Sequence, residues 1–181
     1  MTSEQVAQHQ LKHGFGNPLA PKTEPAPLMP LIVTSDDRID FFMEFEPPTV
    51  TAQHKGARIV IPRVGKPFIH FFTKKEIEAA AKLLNTHLAP FIPAQPFTGP
   101  LRLVTEWTFP WRTSEPKKER IMGWKWKDTH GDADNLFKLL SDQMAECRFF
   151  HNDSQIADLR VSKTWGDRPG IRITLQQLQN P

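Results

Sequence analysis

Two aspartates spaced two apart, Asp132 and Asp134, stand just ahead of a helical apolar pattern in the string Gly131-Asp132-Ala133-Asp134-Asn135. At a loop-to-helix junction an extended backbone brings such carboxylates near one another, and a hard divalent cation relieves their repulsion. Mg²⁺ takes one or two protein carboxylates plus water and phosphate oxygens, so the pair suits phosphodiester hydrolysis. Lys138 lies at i+4 from Asp134 and faces the same side of a helix, where it can offset charge developing on phosphate. Asp142 is one turn further along, and Asp153 opens the next strand. The plainer reading of the same residues is commoner on spacing alone: Asp ahead of a helix serves as its N-cap, and Asp134, Lys138 and Asp142 form an i,i+4 ion-pair ladder. A calcium loop starting at Asp132 is excluded, because it would need an oxygen ligand at Leu136, glycine at Phe137 and glutamate at Gln143.

The surrounding charge supports a phosphate-bearing partner. Between 132 and 158 there are six acids (Asp132, Asp134, Asp142, Glu146, Asp153, Asp158) and two bases. Residues 55–75 hold six bases and no acid, among them Lys55, Arg58, Arg63 and Lys66. Residues 112–131 hold Lys117, Lys118, Arg120, Lys125 and Lys127 with Arg112 against three acids, interleaved with Trp124 and Trp126. Two basic strips around one acidic cluster describe a groove for a phosphate backbone, although a basic strip is usually a solvated face. Trp107, Trp111, Trp124 and Trp126 can stack on unpaired bases, but packing is the commoner use of tryptophan. His130 and His151 flank the acidic stretch without a pattern of their own. No Walker-A loop, dinucleotide fingerprint or Ser-His-Asp order is present.

The elements that must position these groups follow from periodicity. Residues 1–37 carry five of the 17 prolines and read as a flexible N-terminal arm, with the domain running over 38–181. Odd-numbered apolar residues from Ile39 to Phe45 predict a half-buried strand ended by Pro47-Pro48. Two short strands joined through Pro62, Gly65 and Pro67 fill the first basic strip. Thr73-Lys74-Lys75-Glu76 is a capping box opening a helix with Ile77, Ala80, Ala81, Leu84 and Leu88 on one face, stopped by Pro90 and Pro93. Leu101 to Trp111 reads as a strand, residues 112–131 as a polar excursion, and 134–149 as a helix with Leu136, Leu139, Leu140, Met144 and Cys147 as its stripe. Ile156 to Trp165 and Ile171 to Leu175 read as a last hairpin around residues 166–170. The order predicts an α/β fold, a single compact domain with a mixed sheet and two main helices packed against it.

At 181 residues the chain is long enough for one core without staples, and the lone Cys147 excludes an internal disulfide or a cysteine-rich zinc site and fits a reducing compartment. No segment approaches the roughly 20 apolar residues of a spanning helix, and no secretory signal pattern opens the chain, so a cytoplasmic protein is expected. The net charge of +3 permits a nucleic-acid partner without requiring one.

The string Gly131-Asp132-Ala133-Asp134-Asn135-Leu136-Phe137-Lys138-Leu139-Leu140-Ser141-Asp142, followed by Asn152-Asp153-Ser154-Gln155-Ile156, resembles the RusA family of Holliday-junction resolvases, small and often prophage-borne endodeoxyribonucleases. Their pattern is roughly D-x-D-N-x-x-K-x-x-x-D, then D-D-x-Q-[VI]. The likeness is strongest over 130–160, extends to the final Gly-Ile-Arg-Ile-Thr-Leu strand, and touches Glu46-Pro47-Pro48-Thr49-Val50. By resemblance Asp132, Asp134 and Asp153 are the metal-binding carboxylates, Lys138 is the catalytic lysine, Asp142 supports them, and Asn135 and Gln155 are motif positions. Asn152 stands where the family usually has the first Asp of its pair. The resemblance implies a homodimer, dependence on Mg²⁺ with Mn²⁺ as a substitute, and paired symmetric nicks across branched DNA, the four-way junction. The competing expectation is a branched-DNA-binding protein that does not cut, its aspartates reduced to helix caps. A structural phage protein without salt-dependent DNA affinity is a third.

Overall fold

Alternation decides which side of each strand is buried, and the computed structural model, which describes residues 33–35, 37–50, 56–72 and 74–179, places those sides together. β1 is Val33–Ser35 and β2 is Arg38–Glu44, burying Ile39, Phe41 and Met43. β3 (Gly56–Val60) and β4 (Phe68–Phe72) form a separate antiparallel ribbon. After α1 (Lys75–Leu88) comes β5 (Leu101–Pro110), which buries Leu101, Leu103, Thr105, Trp107 and Phe109. α2 is the single turn Lys117–Arg120, β6 is Trp124–Trp126 and α3 is Ala133–Glu146. β7 (Ile156–Gly166) and β8 (Gly170–Gln177) complete the chain, with Ile171, Ile173 and Leu175 of β8 buried. The main sheet has the order β1-β2-β8-β5-β7-β6, antiparallel throughout except for the parallel pair β5–β7. The expected α/β fold with a mixed sheet and two main helices is what forms.

Both long helices cover one face. α1 contributes Ile77, Ala80, Leu84 and Leu88, and α3 contributes Leu136, Leu139, Leu140 and Met144. Each fully buried side chain of this size contributes about 1.5–3 kcal/mol. The opposite face is polar: Asp40 accepts from Arg172 at 3.0 Å and Thr174 at 2.9 Å, and Arg38 pairs with it at 3.3 Å. Cys147 is half-buried at the end of α3, where its thiol donates to Asn85 of α1 at 3.5 Å and burial pushes its pKa up. Among the described residues no helix is long and apolar enough to cross a membrane.

Three expectations are corrected, and one falls partly outside the described residues. The last two strands are not a hairpin: β5 lies between them, paired with β7 on one side and β8 on the other. Residues 167–169 therefore bridge two inter-strand spacings, about 10 Å, which three residues can span. The arm boundary at 37 is also displaced, because Val33–Ser35 pairs with Arg38–Asp40; residues 1–32 lie outside the described residues. α1 starts at Lys75 with Lys74 as a cap residue that makes no side-chain bond, and Thr73 of the expected capping box lies outside the described residues. The polar excursion holds two short elements, α2 and β6, neither of which is long enough to show a period.

Gly170 sits at a close approach of β8 to β2. A Cβ there would overlap the Met43 carbonyl oxygen and the Phe42 ring. Gly170→Ala is expected to cost about 2 kcal/mol through overpacking, read as a lowered urea midpoint. An unchanged midpoint would mean that the two strands separate freely at this point.

Candidate active site

The acidic pair is held by a loop that two lysines fasten from below. β6 ends beside β7, and the backbone N–H of Lys127 donates to the Lys163 carbonyl at 3.0 Å. The Lys127 side chain turns inward and is only 5% exposed. Its Nζ donates to Thr129 Oγ1 at 2.8 Å and the His130 carbonyl at 2.6 Å, with a longer contact to the Thr129 carbonyl at 3.4 Å. Lys163 Nζ donates to the Thr129 carbonyl at 2.9 Å and the Gly131 carbonyl at 2.7 Å. Three successive carbonyls thus end on ammonium groups. The Lys127 ammonium also lies 4.5 Å from the Trp165 ring centroid and 5.1 Å from that of Phe109. Burial pulls its pKa down, helped by the positive charges of Lys163 and Arg112 and opposed by Asp128. Gly131, at φ +102°, makes the left-handed bend that most residues resist, and α3 begins two residues later.

Asp132 occupies the N-cap position of α3, yet its side chain makes no capping hydrogen bond. Asp134 follows in the first turn, and both are exposed at the surface. Neither carboxylate has an ion-pair or hydrogen-bond partner among the described residues. Lys138 and Asp142, one and two turns on, are exposed and unpaired in the same sense, so the i,i+4 ladder is not formed. Asn135 is buried at the helix start. The two structural uses of these acids, capping and ion pairing, are both absent among the described residues. Two carboxylates at the positive end of a helix dipole offer hard oxygen donors suited to Mg²⁺.

Asp153 is elsewhere. It follows α3 in the 3-10 turn Asp153–Gln155, whereas Asp132 precedes that helix. The 14 residues of α3 span about 20 Å. The strand gives a second measure, since Gly131 is held by Lys163, seven residues along β7 from Ile156, again about 20 Å. The expected return of the chain to the mouth of the site is therefore corrected: Asp132 and Asp134 both stand at the start of α3, and Asp153 of the same chain stands beyond its far end. Among the described residues no three acids, histidines or cysteines gather as a metal site. Gln155 is structural, accepting from the His151 and Asn152 N–H groups and donating to the Phe97 and Gly99 carbonyls. Asn152 caps this turn by accepting from Ser154 N–H at 2.8 Å. Asn and Asp perform that task alike, so the departure from the family pattern leaves the turn intact.

A family model described as endodeoxyribonuclease RusA matches residues 46–176, which hold the acidic loop, α3 and the strands beneath them. The chain belongs to the RusA family. It is similar to the crossover junction endodeoxyribonuclease rusA of Lactococcus phage r1t, 26% identical over 141 residues, 78% of this chain and 99% of the phage protein. This RusA-family chain is thus an endodeoxyribonuclease. β1 and β2 precede Glu46 yet supply two strands of the same sheet.

The basic strips of this RusA protein divide into exposed and structural members. Arg58, Arg63 and Lys66 on the β3–β4 ribbon are exposed, as are Lys117 and Lys118 of α2; Lys55 lies outside the described residues. One assignment to DNA is corrected, and two more of the cations already have a partner within the chain. Lys127 is buried beneath the acidic loop. Lys125 pairs with Glu115 at 2.9 Å, and Arg120 is half-buried, donating to the Arg112 carbonyl at 2.8 Å. Glu115, itself buried, is the hub, since Arg112 also donates to it through two nitrogens at 3.0 and 2.8 Å. Charge composition marks a lysine as cationic but does not tell whether a carboxylate or a carbonyl already holds it. Sequence reasoning also missed Lys163, whose signal was its place in the alternation Leu159, Val161, Lys163, Trp165, which puts it on the helix-covered face.

Hydrogen bonds from Lys125 and Arg112 hold the Glu115 carboxyl below its ordinary pKa of 4.5, against the opposing effect of burial. Stability from a depressed carboxylate is present above the unfolded pKa and lost as pH falls towards the folded one. Acidification below pH 4.5 is therefore expected to loosen residues 111–127, followed by tryptophan fluorescence, and Glu115→Gln should flatten that dependence. Identical acid profiles for the two proteins would remove Glu115 as the hub.

Proposed function

We propose that this RusA-family endodeoxyribonuclease resolves four-way DNA junctions by paired symmetric nicks, as a Mg²⁺-dependent homodimer. The observation that carries the reading is the Asp132–Asp134 pair, at the surface where α3 starts, with neither a cap bond nor a cation partner among the described residues. The name of the phage relative supports a crossover junction as the substrate. A bound divalent cation, Mg²⁺ or Mn²⁺ in its place, supplies Lewis-acid polarisation of the scissile phosphate and a more acidic water. Asp132 and Asp134 would hold it. Lys138, on the next turn of α3 and free of a carboxylate among the described residues, offsets the added negative charge of the transition state, with Asp142 supporting the same face. Arg58, Arg63, Lys66, Lys117 and Lys118 attract the duplex arms.

Asp153 bears on the oligomer. A site built from all three carboxylates requires a second copy, because one chain keeps Asp153 about 20 Å away along α3. A two-fold enzyme also suits a two-fold substrate. The test is cleavage of a labelled immobile junction, with and without Mg²⁺, by Asp134→Asn and Asp153→Asn variants alone and mixed. Composite sites predict that each variant is inactive alone, whereas mixing restores one intact site per heterodimer and single nicks appear. Mixtures as inactive as their components, despite confirmed subunit exchange, would return Asp153 to a role within its own chain.

A further inference from the structure

The β3–β4 ribbon is unlike the rest of the molecule. It forms its own two-stranded sheet, with no third strand among the described residues. Opposed residues share a face, so the pairs Arg58–His70 and Val60–Phe68 lie on one side and Ile59–Ile69 on the other. The aliphatic side chains are open to solvent: Ile59 is 71% exposed, Ile69 58%, Ile61 78% and Val64 90%. A hairpin of this kind is marginal by itself, and a partner that covers it supplies what the body does not.

Two observations identify that partner as DNA. The first is charge: residues 56–72 carry Arg58, Arg63 and Lys66 and no acid, and two of these cations alternate with the apolar side chains of the tip, Ile61-Pro62-Arg63-Val64-Gly65-Lys66-Pro67. Apolar wedges flanked by cations are how proteins part base steps and kink a duplex. The second is position. Thr49 and Val50, leading into the ribbon, and Lys74 and Glu76, leading out, line one cavity of about 260 Å³ together with His130. His130 is two residues ahead of Asp132. The ribbon is thus rooted beside the acidic loop, and the five residues of β3, Gly56–Val60, carry the chain about 15 Å towards its tip.

We infer that the β3–β4 ribbon is a DNA-opening arm, whose cations Arg58, Arg63 and Lys66 hold the phosphates while Ile61 and Val64 at its tip enter the base stack at the branch point. The inference rests on the endonuclease reading and adds to it the element that deforms the substrate. Bases at a branch are less costly to unstack than those in a continuous duplex.

The experiment uses the full-length protein and an immobile four-way junction with 2-aminopurine at the crossover, bound without divalent metal so that nothing is cut. Wild type is expected to raise the fluorescence several-fold through unstacking. Ile61→Ser with Val64→Ser should abolish most of that rise while weakening binding less than about tenfold, because phosphate contacts carry most of the affinity. Val64→Leu, which keeps an apolar tip, should retain the rise and shows that loss is not mere unfolding of the hairpin. Arg58→Ala with Arg63→Ala and Lys66→Ala should lower the slope of log affinity against log salt by about 2 to 3 for each ribbon, about 5 for a homodimer that engages both. A full fluorescence rise in the double-serine variant overturns the inference, and so does conversion of that variant to a species of half the mass, which would make the tip a contact between copies. The endonuclease reading fails separately, through a wild type that does not cut the junction when Mg²⁺ is added.

Discussion

Asp134→Asn is expected to abolish junction cleavage while leaving junction binding intact. Asp134 stands in the first turn of α3 and has no partner among the described residues, so its replacement disturbs no hydrogen bond or ion pair there. Loss of a group that merely orients a metal ligand costs 10- to 100-fold, and loss of a ligand should exceed about 100-fold in cleavage rate. Removing a negative charge from a surface that meets phosphate cannot weaken electrostatic attraction, so affinity holds or rises. Single-turnover cleavage and fluorescence anisotropy on the same junction check both halves. Cleavage at the wild-type rate would reduce the aspartates to helix-start residues and revive the binding-protein reading.

The second large effect lies underneath the site. Lys127→Met keeps the buried aliphatic stem but removes the donor to Thr129 and His130. Leaving such acceptors unsatisfied costs about 1–3 kcal/mol. Loss of the ammonium from the Trp165 and Phe109 rings, at 4.5 and 5.1 Å, adds to that. The loop ends on Asp132 and leads into the turn of α3 that carries Asp134, and displacing reacting groups by about 1 Å costs on the order of 100-fold in rate. The variant should show a lowered urea midpoint and a fall of about that size in kcat, with junction affinity nearly unchanged because the lysine is too buried to meet DNA. Wild-type kcat in a folded Lys127→Met protein would show that Lys163 alone holds the loop. A drop in affinity without a drop in kcat would restore Lys127 to the DNA surface.

What the local pattern could convey, it conveyed. Alternation in β2, β5 and β8 identifies their buried faces, and the 3.6-residue stripe of α3 identifies Leu136, Leu139, Leu140 and Met144 as core. The D-x-D-N-x-x-K spacing located the acidic pair and pointed to the RusA family, because side chains on one loop and one helix turn are close in space whenever they are close in sequence. Short elements were beyond reach, since three residues of β6 and four of α2 contain less than one informative period.

Three matters belonged to the folded chain, for one physical reason: period and charge are properties of a segment, whereas partnership is a property of two. The turn at 167–169 announces a reversal of the chain, but only packing decides that β5 enters between the strands it joins. Lysine is basic wherever it occurs, yet burial under the acidic loop turns Lys127 from a DNA ligand into a brace, and Glu115 claims Lys125. Asp153 is near Asp134 in the motif and far from it in the molecule, because a helix laid along a sheet carries its two ends apart. Residue order was enough for the family, the place of Asp132 and Asp134 at a helix start, and the buried faces; packing settled which charges remain available at the surface and set Asp153 a helix length away from the other two.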